Sequence, residues 1–439
     1  MRKIIAKFGG ICMADSLNIN KVKDIVQKNK NRKIIVVSAP GQLYGEEKIT
    51  DLLYECCIQI KNEKKFDETF KKIENRFNEI LEFFNIKNFE KILYEMKNQI
   101  KSNKNKDFSV SRGEFLTAKI LGEILNFDFI DASEIIKFKA NEELDFNLTY
   151  KLIEKHLSNL KKGVVVPGFY GQKPNGEILT FSRGGSDYTA SLIASGVNAD
   201  IYENWKDVDG VMSCDPKIIN THYKIKEITY KELRQMSYMG SKILHPDTVL
   251  PADEKNIPII IRNIFEPKKQ GTKITNKTSL KNSNRIKAIT SKKGQVFIKI
   301  RKIMEYDEIN FFCKLFKLLN MLKVKSAQFS SNVDNFILSL NETEFNQNEN
   351  IFLNEIKSFN IKTISIEEDM ALITIIGNKI IFKNNIFKKI YNALQENDIQ
   401  ISFLKVDAFG FNIMLGVKEK GFKNAIIILN NLLFNNKKS

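Results

Sequence analysis

The chain has 439 residues, of which 43% are hydrophobic and 28% charged, and Lys and Arg outnumber Asp and Glu 69 to 52 for a formal net charge of +17. At about 150 residues per domain this length suggests two or three domains with real cores, and the charge balance excludes an acidic disordered chain. The positive excess is Lys scattered beside Asn and Ile with no Arg-rich stripe, which reads as a solvated surface and gives no nucleic-acid site.

Lys-rich polar stretches and short apolar runs alternate along the chain. Compact β-branched runs predict buried strands over 3–8 and 33–38, with helical spacing over 17–28 between them. A helix-rich insert follows over 51–61, 66–84 and 89–100, each with apolar residues at i, i+3 and i+4. After a polar linker at 101–106 come a helix over 114–125, a strand over 127–132, a helix over 148–160, a strand over 164–169 and a hairpin through 173–176. A helix over 186–197, a strand over 201–205, a helix over 230–237 and a strand over 257–261 complete an α/β pattern with a mostly parallel sheet. Apolar content drops over 268–293, which places a domain boundary near Asn284.

Beyond it the pattern becomes a loose βαββαβ repeat. Strand 296–301, helix 309–322, strands 324–329 and 335–340, helix 347–359 and strand 361–366 form the first set. The second has strand 371–377, helix 384–396, strands 399–405 and 411–417 and helix 422–433, and it runs out before its last strand. Such an edge is a liability, so the missing strand must come from the first set or from a partner chain.

The five Cys, with Cys56 and Cys57 adjacent, give no disulfide framework, and none of the three His sits in a zinc-ligand spacing. No apolar run approaches the ~18 residues needed to span a bilayer, and no long apolar segment follows Met1. The expectation is a soluble cytoplasmic protein without a membrane partner.

Two segments carry chemistry. The sequence KFGG at 7–10 closes the first strand: a lysine on a buried strand end followed by two glycines lets backbone N–H groups approach an anion while the ammonium neutralises it. The sequence SRGGSDYT at 182–189 is more specific. Ser186 can cap the next helix, Asp187 falls in its first turn, and Arg183 offers a planar fork for a carboxylate. Together they would floor a pocket for an anionic substrate. KDVDGV at 206–211 carries a strand into an acidic turn whose spacing excludes an EF-hand. The common P-loop, dinucleotide, zinc-protease and protein-kinase signatures are absent.

In this order the segments resemble the aspartate kinase branch of the amino-acid kinase family. The matching text is KFGG at 7–10, SAPG at 38–41, ITDLLY at 49–54, SRGE at 111–114, PGFYG at 167–171, the block at 182–200, DVDGV at 207–211, DPK at 215–217 and MGSKILHP at 239–246. The tail, with MALITIIG at 370–377, resembles the paired ACT domains that follow the catalytic domain in aspartate kinases. The resemblance implies an amino-acid kinase fold over 1–284, ACT units over 285–366 and 367–439, and a homodimer formed through them. It also implies phosphorylation of L-aspartate by ATP to 4-phospho-L-aspartate, the first step towards lysine, threonine and methionine.

By the same resemblance Lys7 and Asp187 are catalytic. Thr50, Glu114, Phe169, Arg183 and Ser186 fall on the aspartate side, Arg183 clamping the α-carboxylate and Glu114 pairing with the α-ammonium. Lys7, Gly9, Gly10, Lys206, Asp207, Met212, Lys217 and Lys242 fall on the nucleotide side. Mg²⁺ would be held chiefly by phosphates and water, with no protein ligand set. Ile11 departs from the family, which usually has a hydroxyl there, and Cys12 offers only a weak donor. Lys206, Met212 and Lys217 also stand where Thr, an aromatic and Arg are common. No charged catalytic group is lost, so an active enzyme is expected. The alternative, supported by Ile11 alone, is a non-catalytic amino-acid sensor on the same fold.

The ACT resemblance implies feedback by lysine or threonine. Asn310 and Asn385 stand where a Gly usually opens the first helix of each unit, and Asn is the residue that best replaces it in a left-handed turn. The sequence leaves open which amino acid inhibits, if any.

Overall fold

The structure, a computed structural model, describes the chain apart from residues 1, 44, 104, 183, 220–221, 242, 279–285, 303–307, 326, 333, 360, 379, 381–384 and 435–439. The expected boundary near Asn284 lies outside the described residues. One unit comprises Met1–Val211, Lys224–Arg234 and Lys242–Ser279, and the other Met212–Tyr223, Gln235–Ser241 and Leu280–Ser439.

The strands of the first unit are β1 (Ile4–Phe8), β2 (Ile34–Val37), β3 (Asp128–Phe129), β4 (Val164–Pro167), β5 (Tyr170–Gln172), β6 (Ile178–Thr180), β7 (Ile201–Lys206), β8 (Glu227–Thr229), β9 (Ile259–Asn263) and β10 (Thr272–Thr275). Eight form one sheet in the order β3-β4-β2-β1-β7-β9-β10-β8, parallel at every pair except β9–β10. β5 and β6 form the expected hairpin, turning at Gly176 with φ +88°. β1 and β2 are buried at every residue, so β2 reads as an unbroken apolar run and β1 as one interrupted only by the buried Lys7, instead of alternating. β2 lies on one side of β1 and β7 on the other. Strand order therefore reverses at β1, and the crevice beyond the C-terminal ends of β1 and β7 is the switch point where open α/β sheets bind ligands. β8 and β10, three and four residues long, were too short for a periodicity to reveal.

Asp15 caps the helix Ser16–Gln27 through the amide of Asn18. The insert forms helices Ile49–Gln59, Glu63–Phe83 and Glu90–Ser102. In the second, Phe66, Phe70, Ile73, Phe77 and Ile80 are buried at helical spacing against the main core. The next helix spans Lys106–Leu125, starting well before the expected 114. Asn105 accepts from the amides of Asp107 and Phe108 and sets the start, while Ser109, Ser111 and Gly113 mask the helical signal.

In the second unit β11 (Ile286–Lys302), β12 (Gln328–Ser331), β13 (Asn335–Asn341), β14 (Ile361–Gly377), β15 (Phe403–Val406) and β16 (Asn412–Lys418) form one antiparallel sheet in the order β12-β13-β11-β14-β16-β15. β11 and β14 each run 17 residues and serve both halves of this sheet. Residues 361–366 and 371–377, expected as separate strands, are one strand, bent where Asp369 takes φ +54°. Across from it the register shifts between Gln295 and Phe297, and it shifts again between Lys292 and Gln295, beside Gly294 at φ +62°. The strand that the second repeat lacks is the N-terminal half of β11: Ile286 pairs with Gly377 and Lys292 with Leu372.

Leu315, Leu318, Phe352 and Ile356 fill the core of one half, and Ile390, Leu394, Phe422, Ala425 and Leu429 that of the other. Asn385 holds φ +60° at the start of helix Ile386–Gln395, as its Gly-like position requires. Asn310 does not: it lies inside helix Glu308–Met321 and has no left-handed backbone.

Candidate active site

Lys7 of β1 is in register with Asn204 of β7. By the alternation of strand side chains, Tyr202, Asn204 and Lys206 share the sheet face that Lys7 occupies, while Glu203 and Trp205 turn to the other. Helix Gly185–Gly196 packs on β1 and β7 and brings Asp187, in its first turn, onto that face.

The result is a buried charge cluster. Lys7 Nζ lies 2.6 Å from Asp187 Oδ1, and Lys206 Nζ 3.2 Å from Asp187 Oδ2. Asn204 Nδ2 donates to the same Oδ1 at 2.9 Å and to the Tyr202 hydroxyl at 2.8 Å, and that hydroxyl donates to the main-chain carbonyl of Asp187. Lys206 also donates to the Ile243 carbonyl. Burial on its own would raise the Asp187 carboxyl, but the Lys206 and Lys7 ammoniums outweigh it and hold the group well below the usual carboxylate range. Burial depresses the Lys206 ammonium, and Lys7 adds to that while Asp187 opposes it. Two ammoniums on one carboxylate leave a positive surplus at the switch point.

Gly9 donates its amide to the Trp205 carbonyl at 3.0 Å, and a short 3₁₀ turn, Gly10–Met13, follows. Gly10 packs backbone to backbone on Gly41 of the SAPG segment, whose amide donates to the Gly10 carbonyl at 2.9 Å. A Cβ on Gly41 would sit 2.7 Å from the Gly10 carbonyl carbon, so this contact requires glycine. A Cβ on Gly9 would stand 3.8 Å from Lys7 Nζ, beside the ammonium an anion would approach. Cys12 does not serve as a donor to a ligand: its thiol donates to the Trp205 carbonyl at 3.3 Å, and burial pushes it up to about 12.

Glu114 is 5% exposed, and its Oε2 has no hydrogen-bond partner. Burial pushes this carboxyl up to about 8, against the lowering pull of the Ala39 amide and of Lys7. Gly113 lets its helix approach Ala39 and Ile49, where an added Cβ would lie 2.8 Å from the Ala39 Cβ, and Thr50 is half-buried in the first turn of that adjoining helix. Phe169 holds φ +84°, its amide donating to the Thr189 hydroxyl and its ring so close that a Cβ on Gly185 would meet it at 2.6 Å. The Ser186 hydroxyl accepts from Ser38 Oγ at 3.0 Å.

The first unit thus brings together Lys7, Gly9, Gly10, Glu114, Ser186, Asp187 and Lys206. Asp207 is exposed just beyond β7. Met212 and Lys217 belong to the second unit, where Lys217 is exposed and its amide donates to the Asp215 carboxylate. Arg183 and Lys242 lie outside the described residues. The sequence reading missed Tyr202 and Asn204, which fix Asp187; alternation back from Lys206 along β7 was the signal that could have found Asn204. Among the described residues there is no group of three or more His, Cys, Asp or Glu side chains able to hold a metal, and no helix long and apolar enough to cross a membrane.

A parallel sheet with a cationic, glycine-lined switch point is the frame of an enzyme that moves phosphoryl groups between small anions. The chain belongs to the amino acid kinase family, whose model matches residues 2–263, and within it to the aspartate kinases. It is 36% identical to the crystal structure of Clostridium acetobutylicum aspartate kinase, with a TM-score of 0.87 over 99% of this chain and 100% of that one. It is also 28% identical to aspartokinase 3 of Bacillus subtilis over 96% of each chain. Escherichia coli aspartokinase III, in complex with lysine and aspartate in its T-state, is 25% identical with a TM-score of 0.79 over 98% of this chain and 99% of that one.

Proposed function

We propose that the chain transfers the terminal phosphoryl group of ATP to the side-chain carboxylate of L-aspartate, giving 4-phospho-L-aspartate and ADP. The observation that carries this reading is the buried Lys7–Asp187–Lys206 cluster at the switch point beside the Gly9-Gly10 turn. An aspartate carboxyl, with an ordinary pKa of about 3.9, is already ionised at neutral pH and needs no general base. The barrier lies in bringing this anion against a second one, so positioning and fixed positive charge do the catalytic work. Lys7 meets the phosphate oxygens, the glycine turn lets backbone amides approach them, and Asp187 keeps both ammoniums aimed so that nothing reorganises during transfer.

Glu114 receives the α-ammonium of aspartate, which supplies the partner its Oε2 lacks. Thr50, Phe169 and Ser186 line the aspartate pocket, and Arg183 clamps the α-carboxylate. Asp207, Met212, Lys217 and Lys242 serve the nucleotide; these last assignments rest on the family resemblance. Mg²⁺ enters on the nucleotide, held by phosphate oxygens and water. Asp187 does not fit as its ligand, because two ammoniums and an amide already occupy its oxygens.

Hydroxylamine trapping of the acyl phosphate tests the reaction. Aspartate should yield the hydroxamate in the presence of ATP, while glutamate and N-acetylglutamate yield little. Trapping with another carboxylate and none with aspartate would overturn the assignment. The relatives are catalytic proteins, so the sensor reading is not carried further. We propose also that 285–366 and 367–439 act as paired ACT units, interleaved through β11 and β14, that form a homodimer and respond to lysine or threonine. Initial rates with each effector singly and together check this.

A further inference from the structure

Arg76 lies in the helical insert, on Glu63–Phe83, yet its guanidinium serves the loops of the sheet. It is 7% exposed. Its Nε donates to the Ala14 carbonyl at 2.9 Å, just past the turn that follows KFGG, and one terminal nitrogen donates to the Gly41 carbonyl at 2.8 Å. The other terminal nitrogen pairs with the Glu46 carboxylate and reaches the Glu47 carbonyl at 3.4 Å. A single planar fork therefore holds three backbone carbonyls on two segments of chain. Gly41 in turn stacks on Gly10, and the segment from 41 to 48 leads into the helix Ile49–Gln59 that carries Thr50, anchored by the Ile49 amide on the Pro40 carbonyl. Asn18 also holds the glycine turn, its Nδ2 donating to the Ile11 carbonyl at 3.0 Å, but it does not reach the segment at Gly41.

We infer that Arg76 is a positioning residue that sets the phosphate turn and the aspartate-side loop as one body, so that the affinities for both substrates depend on it. The inference rests on the proposed aspartate kinase reaction. A lysine cannot replace it, because one ammonium lacks the fork that spans Ala14 and Gly41.

The test compares the full chain with Arg76→Ala and Arg76→Lys, measuring KM for ATP and for aspartate separately from kcat. Loss of positioning raises both KM values, with kcat/KM falling on the order of 10- to 100-fold, the effect of misplacing a binding loop by about 1 Å. Mere loss of folded protein lowers apparent kcat and leaves both KM values where they were. Methylguanidinium added to Arg76→Ala should restore the KM values, and methylammonium should not. KM values within twofold of an active parent in folded Arg76→Lys, or equal rescue by the two cations, would overturn the inference. An inactive parent would instead remove the reaction on which it rests.

Discussion

Glu114→Gln separates charge from shape at the aspartate pocket. In the free protein the Glu114 carboxyl titrates at about 8 because it is buried. An α-ammonium binds well only to the ionised form, so the apparent KM for aspartate scales as one plus the ratio of protonated to ionised carboxyl. That factor is about 30 at pH 6.5 and about 2 at pH 8, a fall of roughly 15-fold across the window. The assay is initial rate against aspartate at saturating ATP and constant ionic strength. Gln cannot ionise, so its KM should be higher than the parent's at pH 8 and flat with pH. A flat parent KM, or a Gln variant that keeps the slope, would refute the reasoning. Stability gives an independent reading. The native carboxyl keeps its proton up to about 8, whereas the unfolded one releases it near 4.5. The native state therefore binds more protons between these values, and stability of the ligand-free protein falls as pH rises through them. Glu114→Gln should raise the melting temperature more at pH 8 than at pH 5.

Lys7→Met and Asp187→Ala should each lower turnover on the order of 10²–10³-fold, the scale of losing one preorganised charge contact, and near-normal steady-state rates in both would refute their roles. Asn204→Ala should lower kcat by about 10-fold by freeing Asp187 from one charge-assisted hydrogen bond, and unchanged kcat would show that the two lysines suffice to hold it. Gly41→Ala forces the two loops apart and should destabilise by about 1–3 kcal/mol, which thermal melting with and without ATP would measure.

The parts of the molecule that were legible in the sequence are those whose signal is local. Lys7 followed by two glycines, and Asp187 in the first turn of a helix, announce their chemistry within a few residues. So do the buried β1 and β2 and the Phe66–Phe70–Ile73–Phe77 stripe of the insert. The expected cap at Ser186 is not made: the helix opens at Gly185, with Gly184 at φ +61° before it. What stayed hidden depends on distant approach. Nothing near Gly41 reveals that it must touch Gly10, and nothing near Arg76 reveals that its partners lie at Ala14, Gly41 and Glu46. The join of 361–366 and 371–377 into one strand was hidden because Glu367, Glu368 and Asp369 look like a turn. Pairing with β11 holds both ends of this break, Glu367 with Phe297 and Met370 with Gln295, so the strand continues across a bulge.

Because β11 and β14 are each held in common, the C-terminal region has no seam at which it could be cut. Ending the chain at 366 would strip Ile286–Lys292 of the neighbour that covers its backbone, and starting it at 293 would leave Leu372–Gly377 bare on that flank. The two repeats are therefore gained or lost as a pair, and a ligand that stiffens one tightens the same two ribbons that run through the other.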